Sequence, residues 1–223
     1  MNPRLDAPLP FDILVVTDRL TCAQVGRTVE EAIALILNSP LSHRVAILVR
    51  DKTVPPEVVA QTLQAVQPMT QSAGARLLVH THVHLALAFN LDGVHLAAHD
   101  DVAIVRSQLS PQMLLGCSRH SHDPLDASDI EAADYATISP VFRPTSKPGD
   151  TREPLGMAGL QACVQRSVRP LVALGGIRPG VIAQTMAQGA AAIALCGVIL
   201  QAEHPATLLE ALCNELDCHR SID

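Results

Sequence analysis

Short apolar runs alternate along the chain with longer segments in which apolar residues recur at helical spacing. The short runs are apolar at nearly every position, as in DILVVT and VAILV, which is typical of parallel strands covered on both faces. The predicted strands are Asp12–Thr17, Val45–Val49, Arg76–Val79, Gly93–Leu96, Met113–Cys117, Tyr135–Ile138, Leu171–Ala173 and Ala192–Leu195.

Helical periodicity occupies the intervals between these strands. Pro55 and Pro56 open one helix that we expect to run through about Val66, because proline suits a first helical turn. Gly74 then ends that unit. The other predicted helices lie at about Val29–Leu37, Val83–Phe89, Pro124–Ala132 and Met157–Ser167, from near Pro179, and at about Ala206–Leu216.

The alternation of strand and helix predicts an α/β fold with a parallel sheet. Counting the units gives a (β/α)8 TIM barrel formed by a single domain over residues 1–223. The alternative is an open, doubly wound sheet, but the chain has no linker or charged break that would divide it. A proline-rich loop of roughly fifteen residues after the sixth strand is longer than most connections and suggests a lid.

Composition narrows the classes of function. Net charge is −6 with no basic stripe, which argues against nucleic acid or an anionic membrane as partner, while small anionic substrates need only local basic groups. No apolar run is long enough to span a bilayer, and the polar, proline-rich start MNPRLDAPLP is unlike a signal peptide. Six cysteines without a CxxC pair suggest a reduced, cytoplasmic setting.

Polar groups are expected to gather at the carboxyl ends of the strands, where such barrels carry their chemistry. Arg50 and Lys52 share the same side-chain parity after the second strand and suit a phosphate or diphosphate, while Asp51 should point away. An ion pair at the surface is the alternative for the two cations. The glycines of LVALGGIRPG and IALCGVI follow the last two strands and predict a phosphate site, with a simple tight turn as the alternative.

Five histidines fall within residues 77–100, which raises the question of a metal site. The third strand should end near His80, so His82 and His84 are expected to leave the barrel mouth with the next helix. His80 could still meet His99 and Asp100, but a zinc ion needs three or four converging ligands and the sequence has no HExxH motif.

Several motifs resemble the thiamin phosphate synthase and thiazole tautomerase family, whose fold is a (β/α)8 barrel. The matching segments are VTD at 16–18, VRDK at 49–52, LDGVHL at 91–96, GCSRHS at 116–121, ADYATISPVF at 133–142, SKPG at 146–149, PLGMAGL at 154–160, LVALGGI at 171–177 and LCG at 195–197. Each segment alone is a weak signal, but their order along nearly the whole chain is specific.

The resemblance implies an enzyme that joins a hydroxymethylpyrimidine diphosphate to a thiazole phosphate and releases diphosphate. The candidate catalytic residues are Arg50, Lys52, Ser118, His120 and Lys147, and the candidate substrate or phosphate ligands are His80, Ser146, Gly175, Gly176, Cys196 and Gly197. Asp100 matches a magnesium-binding aspartate of the family. Thr81 stands where a second such aspartate is usual, so Mg²⁺ binding should be weakened, and Cys196 stands where a serine is usual.

Two other functions stay open at this point. A thiazole tautomerase would move a proton without metal, and His120 matches its acid–base position, since imidazole titrates near neutral pH. The other possible function is that of a phosphate-binding barrel that catalyses no reaction. In each case the expected partners are small phosphorylated heterocycles, and because barrels of this kind often pair, a homodimer is also expected.

Overall fold

The computed structural model describes residues 8–125, 128–143 and 152–220. Eight parallel strands form a closed barrel in sequential order, and the first strand pairs with the last. This closure confirms the (β/α)8 prediction and excludes the open sheet. The strands are β1 Ile13–Val16, β2 Val45–Val49, β3 Arg76–His80, β4 Gly93–Leu96, β5 Leu114–His120, β6 Tyr135–Ser139, β7 Leu171–Leu174 and β8 Ala192–Leu195.

The helices surround this barrel, and most of the described ones lie where the apolar spacing placed them. Their bounds are α1 Arg19–Ala23, α2 Val29–Leu37, α3 Pro56–Ala73, α4 Val83–Ala88, α5 Val102–Gln108, α6 Ser128–Glu131, α7 Gly156–Arg166, α8 Ile182–Met186, α9 Gly197–Leu200 and α10 Pro205–Arg220, with a 3₁₀ turn at Ser42–Arg44. None of the described helices combines the length and apolar character needed to cross a membrane.

Several predicted bounds were wrong. Helix α3 continues past Val66 and past Pro68, because its buried face extends to Thr70, and it ends as predicted at Gly74, which adopts a left-handed φ of 68°. Helix α8 begins at Ile182 instead of near Pro179. Pro124 precedes the described helical residues of α6, which begin at residue 128.

Strand β5 is longer than predicted and carries Ser118 and His120 within the barrel wall. Three short helices, α1, α5 and α9, were not predicted. Side-chain caps define the first two: Asp18 accepts from Thr21 N before α1, and Asp101 accepts from Ile104 N before α5.

Alternation along the strands divides the apolar core into two layers. Residues of one parity pack outward against the helices, and those of the other parity point into the barrel. The inward layer consists of Phe11, Leu14, Val16, Ala46, Leu48, Leu78, Tyr135, Val172, Ala192 and Ala194. Near the carboxyl ends of the strands the inward positions become polar, as at Arg50, His80 and Ser118, so the barrel changes from a packed core to a polar mouth along its axis.

Candidate active site

A cavity of about 370 Å³ opens at the carboxyl ends of the strands. Its lining includes nine of the twelve candidate catalytic, substrate and metal residues: Arg50, Lys52, His80, Ser118, His120, Gly175, Gly176, Cys196 and Gly197. Asp100 lies beside the mouth and is not part of this lining. Ser146 and Lys147 lie outside the described residues, so their predicted roles stay predictions.

One side of the mouth is cationic. Arg50 and Lys52 both line the cavity, while Asp51 between them turns away to bind Arg19 Nε at 2.7 Å. Thr17 holds the start of this loop, because its Oγ accepts a hydrogen bond from Arg50 N at 2.9 Å. Arg50 lies 3.7 Å from a carboxylate oxygen of Asp18, which is too long for a tight ion pair, and the guanidinium still contributes to the cavity wall.

His80 ends β3 at the cavity wall and is only 8% exposed. Burial, together with the positive charges of Arg50 and Lys52, lowers the pKa of His80 to about 3, so the ring is neutral at physiological pH. The next residue, Thr81, adopts a left-handed φ of 60° and its hydroxyl donates to His80 O at 2.8 Å. The Thr81 hydroxyl is therefore engaged with the backbone.

His82 and His84 leave the cavity with the next helix, as predicted, whereas the His95 ring lies 6.4 Å from that of His80. His82 precedes α4 and His84 lies exposed within it, with the two rings 5.8 Å apart. Among the described residues, no group of three or more His, Cys, Asp or Glu side chains is arranged to hold a metal ion.

The cavity floor contains His95, which lies near the end of the fourth predicted strand but was not among the candidate catalytic or binding residues. His95, in β4, is 2% exposed, and burial lowers its pKa to about 3. Its Nδ1 lies 3.1 Å from the Tyr135 hydroxyl, and its Nε2 lies 3.1 Å from Ser118 Oγ and 3.5 Å from Thr137 Oγ1. The inward parity of residue 95 was a readable signal, but the partners come from other strands.

His120 also has a partner that the sequence analysis missed. Its Nδ1 lies 3.0 Å from Asp123 Oδ2, which additionally accepts from His120 N at 2.7 Å. An ionised carboxylate favours the proton on Nδ1 and leaves Nε2 as the basic nitrogen. This pair at the cavity wall is thus suited to accept a proton.

The glycine pair after β7 is needed for close packing as well as for a cavity wall. Gly175 and Gly176 have φ values of 98° and 64°, a region that side chains rarely adopt. A Cβ on Gly175 would lie 2.8 Å from Pro140 Cα, and one on Gly176 would lie 2.6 Å from Phe142 Cβ. The constrained turn is therefore present and the same residues line the cavity, while the predicted phosphate site stays a prediction.

Asp100 is partly committed to its own loop, because one carboxylate oxygen accepts from Ala97 N at 2.8 Å. Its other oxygen lies 3.7 Å from His99 Nε2. Mg²⁺ in proteins is often bound through one or two carboxylates together with substrate phosphates. Asp100 can supply one such oxygen at the mouth, while Thr81 offers no second carboxylate.

Comparison with known proteins places these features in a family. The sequence profile described as thiamine monophosphate synthase matches residues 13–199. The chain belongs to this family. A putative thiamine-phosphate synthase of Geobacter sulfurreducens is 31% identical over 207 residues, covering 92% of this chain and 94% of the relative. A thiamine-phosphate synthase of Moorella thermoacetica is 32% identical, covering 70% of this chain and 75% of the relative.

The fold agrees with this membership of the thiamine monophosphate synthase family. A solved structure of thiamine phosphate pyrophosphorylase from Pyrococcus furiosus superposes with a TM-score of 0.78 at 24% identity and covers 98% of this chain and 99% of its own. A 3-hexulose-6-phosphate synthase from Salmonella typhimurium superposes with a TM-score of 0.67 at 16% identity. Both likenesses indicate the barrel architecture alone.

Proposed function

We propose that this chain is a thiamine-phosphate synthase of thiamin biosynthesis, a transferase that joins a hydroxymethylpyrimidine diphosphate to a thiazole phosphate and releases diphosphate. The observation that carries the proposal is one cavity with a cationic rim over an uncharged floor, in a chain of this family. The two relatives above have synthase names, and the comparisons give the tautomerase no support.

The division of charge in the cavity suits the two parts of the diphosphate substrate. Arg50 and Lys52 provide positive charge where a diphosphate would enter, and guanidinium groups bind phosphate oxygens with two parallel hydrogen bonds. The floor has neutral His95 and apolar wall residues such as Leu48 and Leu174, which suit an uncharged heterocycle. With the substrate bound in this way, the bond to be broken would lie between the floor and the rim.

The side of the cavity that follows β7 and β8 suits the thiazole phosphate. Gly176 and Gly197 expose backbone there, and N–H groups of glycine loops in barrels bind phosphate without side-chain charge. The phosphate would be fixed on that side, which leaves the thiazole ring to face the centre of the cavity. Cys196 lines the same side and keeps a small polarizable group where the family commonly has serine.

The reaction then breaks the bond between the methylene carbon and the diphosphate oxygen. The thiazole nitrogen supplies the electron pair for the new carbon–nitrogen bond, and the diphosphate leaves with the bonding electrons. Arg50 and Lys52 stabilise the negative charge that develops on the departing oxygen, which is where preorganised cations accelerate a reaction most. Ser118, at the floor, would orient the pyrimidine.

A magnesium ion would neutralise additional diphosphate charge, and Asp100 is the described residue at the mouth that we expect to hold it. Lys147 and Ser146 are proposed to contact the same anion from the loop after β6. A homodimer and a cytoplasmic location also stay predictions.

The test is a product assay with a hydroxymethylpyrimidine diphosphate, a thiazole phosphate and Mg²⁺, with an EDTA control. We expect thiamin phosphate to form, and Arg50→Met to reduce kcat/KM by roughly 10²-fold or more because a transition-state charge contact is lost. Arg166→Met, at an exposed position in the last turn of α7, is the matched control and should behave as wild type.

Absence of product from folded protein that binds both substrates would refute the proposal. Tautomerisation of a thiazole phosphate in EDTA, abolished by His120→Ala, would instead support proton transfer through the His120–Asp123 pair. If calorimetry shows that a thiazole phosphate binds but neither thiamin phosphate nor a tautomerised product forms, the chain would be a phosphate-binding barrel without catalytic activity.

A further inference from the structure

Three residues form a row across the barrel interior below the cavity. The strand register pairs His95 with Gly116 and Gly116 with Tyr135, so the three positions lie side by side on β4, β5 and β6. The side chain of Tyr135 reaches across the glycine, and its hydroxyl meets His95 Nδ1 at 3.1 Å.

Gly116 provides the space for this contact. A Cβ there would lie 2.3 Å from Tyr135 Cζ and 2.5 Å from His95 Nδ1, so any side chain would displace one of the two rings. On its other side the Tyr135 ring meets Phe11 edge to face, with centroids 5.4 Å apart. The hydrogen bond is therefore held by packing on both sides, as expected of a group that positions another.

The surroundings decide the direction of this hydrogen bond. Tyr135 is fully buried, and within the described residues His95 Nδ1 is the hydrogen-bond partner of its hydroxyl. Burial raises the pKa of Tyr135 far above neutral pH, so the phenol keeps its proton. If the phenol accepted from His95, its own hydrogen would be buried without an acceptor, which is more costly than leaving one lone pair free.

The phenol therefore donates to Nδ1, and the neutral imidazole carries its single proton on Nε2. That N–H points to Ser118 Oγ at 3.1 Å, with Thr137 Oγ1 at 3.5 Å. Because the Ser118 oxygen then accepts from His95, its own hydrogen is available to the cavity that Ser118 lines.

We propose that Tyr135 is a positioning residue that fixes the Nε2–H tautomer of His95, so that the cavity floor presents a hydrogen-bond donor through Ser118. The floor would then bind a neutral heterocycle through an acceptor atom, such as an unprotonated ring nitrogen, more tightly than one that offers an N–H at the same place and leaves the Ser118 hydrogen unpaired. This deepens the proposed function, on which it rests, because the pyrimidine of that reaction carries two ring nitrogens that accept hydrogen bonds.

The first experiment is ¹⁵N NMR of the imidazole rings in full-length protein, with His95 assigned by loss of its signals in His95→Asn. We expect wild type to show the Nε2–H tautomer with an Nδ1 that accepts a hydrogen bond, and Tyr135→Phe to show an Nδ1 resonance shifted toward that of an imidazole nitrogen without a donor. Thr137→Val is the control, because it removes a hydroxyl near Nε2 and leaves the Nδ1 contact intact. Wild type with the proton on Nδ1, or Tyr135→Phe with an unchanged Nδ1 resonance, would overturn the proposal.

The second experiment measures calorimetric binding of hydroxymethylpyrimidine without its diphosphate, so the result does not depend on turnover. We expect Tyr135→Phe and Ser118→Ala each to weaken binding roughly three- to tenfold, as for one lost hydrogen bond. An analogue with carbon in place of a ring nitrogen should bind wild type more weakly and lose this dependence on Ser118. Equal binding by all the variants would refute donor selection, whereas binding as expected without thiamin phosphate formation would refute only the synthase.

Discussion

Acid should destabilise the fold well before its carboxylates titrate, because two histidines are buried in the neutral form. The pKa values of His80 and His95 are about 3 in the folded protein, against 6.5 for a free imidazole. Below pH 6.5 the unfolded chain binds protons that the folded chain does not, so stability falls as the pH falls. This contribution is complete above pH 6.5 and declines through the interval down to about pH 3.

The size of the effect follows from the same shift. At pH 5.5 protonation stabilises the unfolded state by about 1.4 kcal/mol for each such histidine. The pair therefore lowers the free energy of unfolding by about 2 to 3 kcal/mol. His95 accounts for the larger share, because it is 2% exposed whereas His80 is 8% exposed and is better screened by water. The loss is a sizeable part of the 5–15 kcal/mol that is typical of a folded domain.

Urea unfolding at pH 7.5 and pH 5.5 measures this difference directly. We expect His95→Asn to lose less stability between the two pH values than wild type, by about 1.4 kcal/mol, whatever its stability at pH 7.5. His204→Asn, in which the replaced side chain is 76% exposed, should keep the full wild-type difference. The reasoning is refuted if wild type and His95→Asn lose the same free energy on acidification.

Two further substitutions separate the site from the scaffold. Gly176→Ala should lower the free energy of unfolding by about 1–3 kcal/mol and raise KM for the thiazole phosphate, because its Cβ would lie 2.6 Å from Phe142 Cβ. Thermal unfolding and steady-state kinetics measure these two effects. An unchanged KM would contradict the assignment of the phosphate to this side of the cavity. Thr28→Ala should lower the free energy of unfolding measured in urea by about 1 kcal/mol without changing kcat, because it removes the reciprocal cap with Glu31 at the start of α2. An altered kcat would contradict a purely structural role for Thr28.

Strand positions were predictable because a strand buried on both faces is a short run of apolar residues, a pattern that few other structures produce. Val45–Val49 and Ala192–Leu195 have the predicted bounds. The helix Arg19–Ala23 was not predictable in the same way, since five residues are too short to repeat an apolar face and a side-chain cap defines its start. Local periodicity thus determines the long elements, while the short ones depend on contacts within the fold.

The residues of the candidate site also differ in how far the sequence predicts them. Arg50 and Lys52 could be placed at the cavity from sequence, because the rule that chemistry gathers at the strand ends needs only the strand bounds and side-chain parity. The role of His95 could not be predicted from sequence, because it depends on a contact with Tyr135, which is 40 residues away along the chain. The contact of Asp123 with His120 depends on a side-chain rotamer in a turn, which periodicity does not report.

The scarcity of aromatic residues connects the core to the site. The chain has three phenylalanines and one tyrosine, yet one of each lies inside the barrel in a single edge-to-face pair. Small inward residues such as Ala192 and Ala194 leave room that two large rings fill at low entropic cost. The ring that completes this packing also places its hydroxyl against His95, so the close-packed bottom of the barrel is what sets the hydrogen-bonding character of the cavity floor.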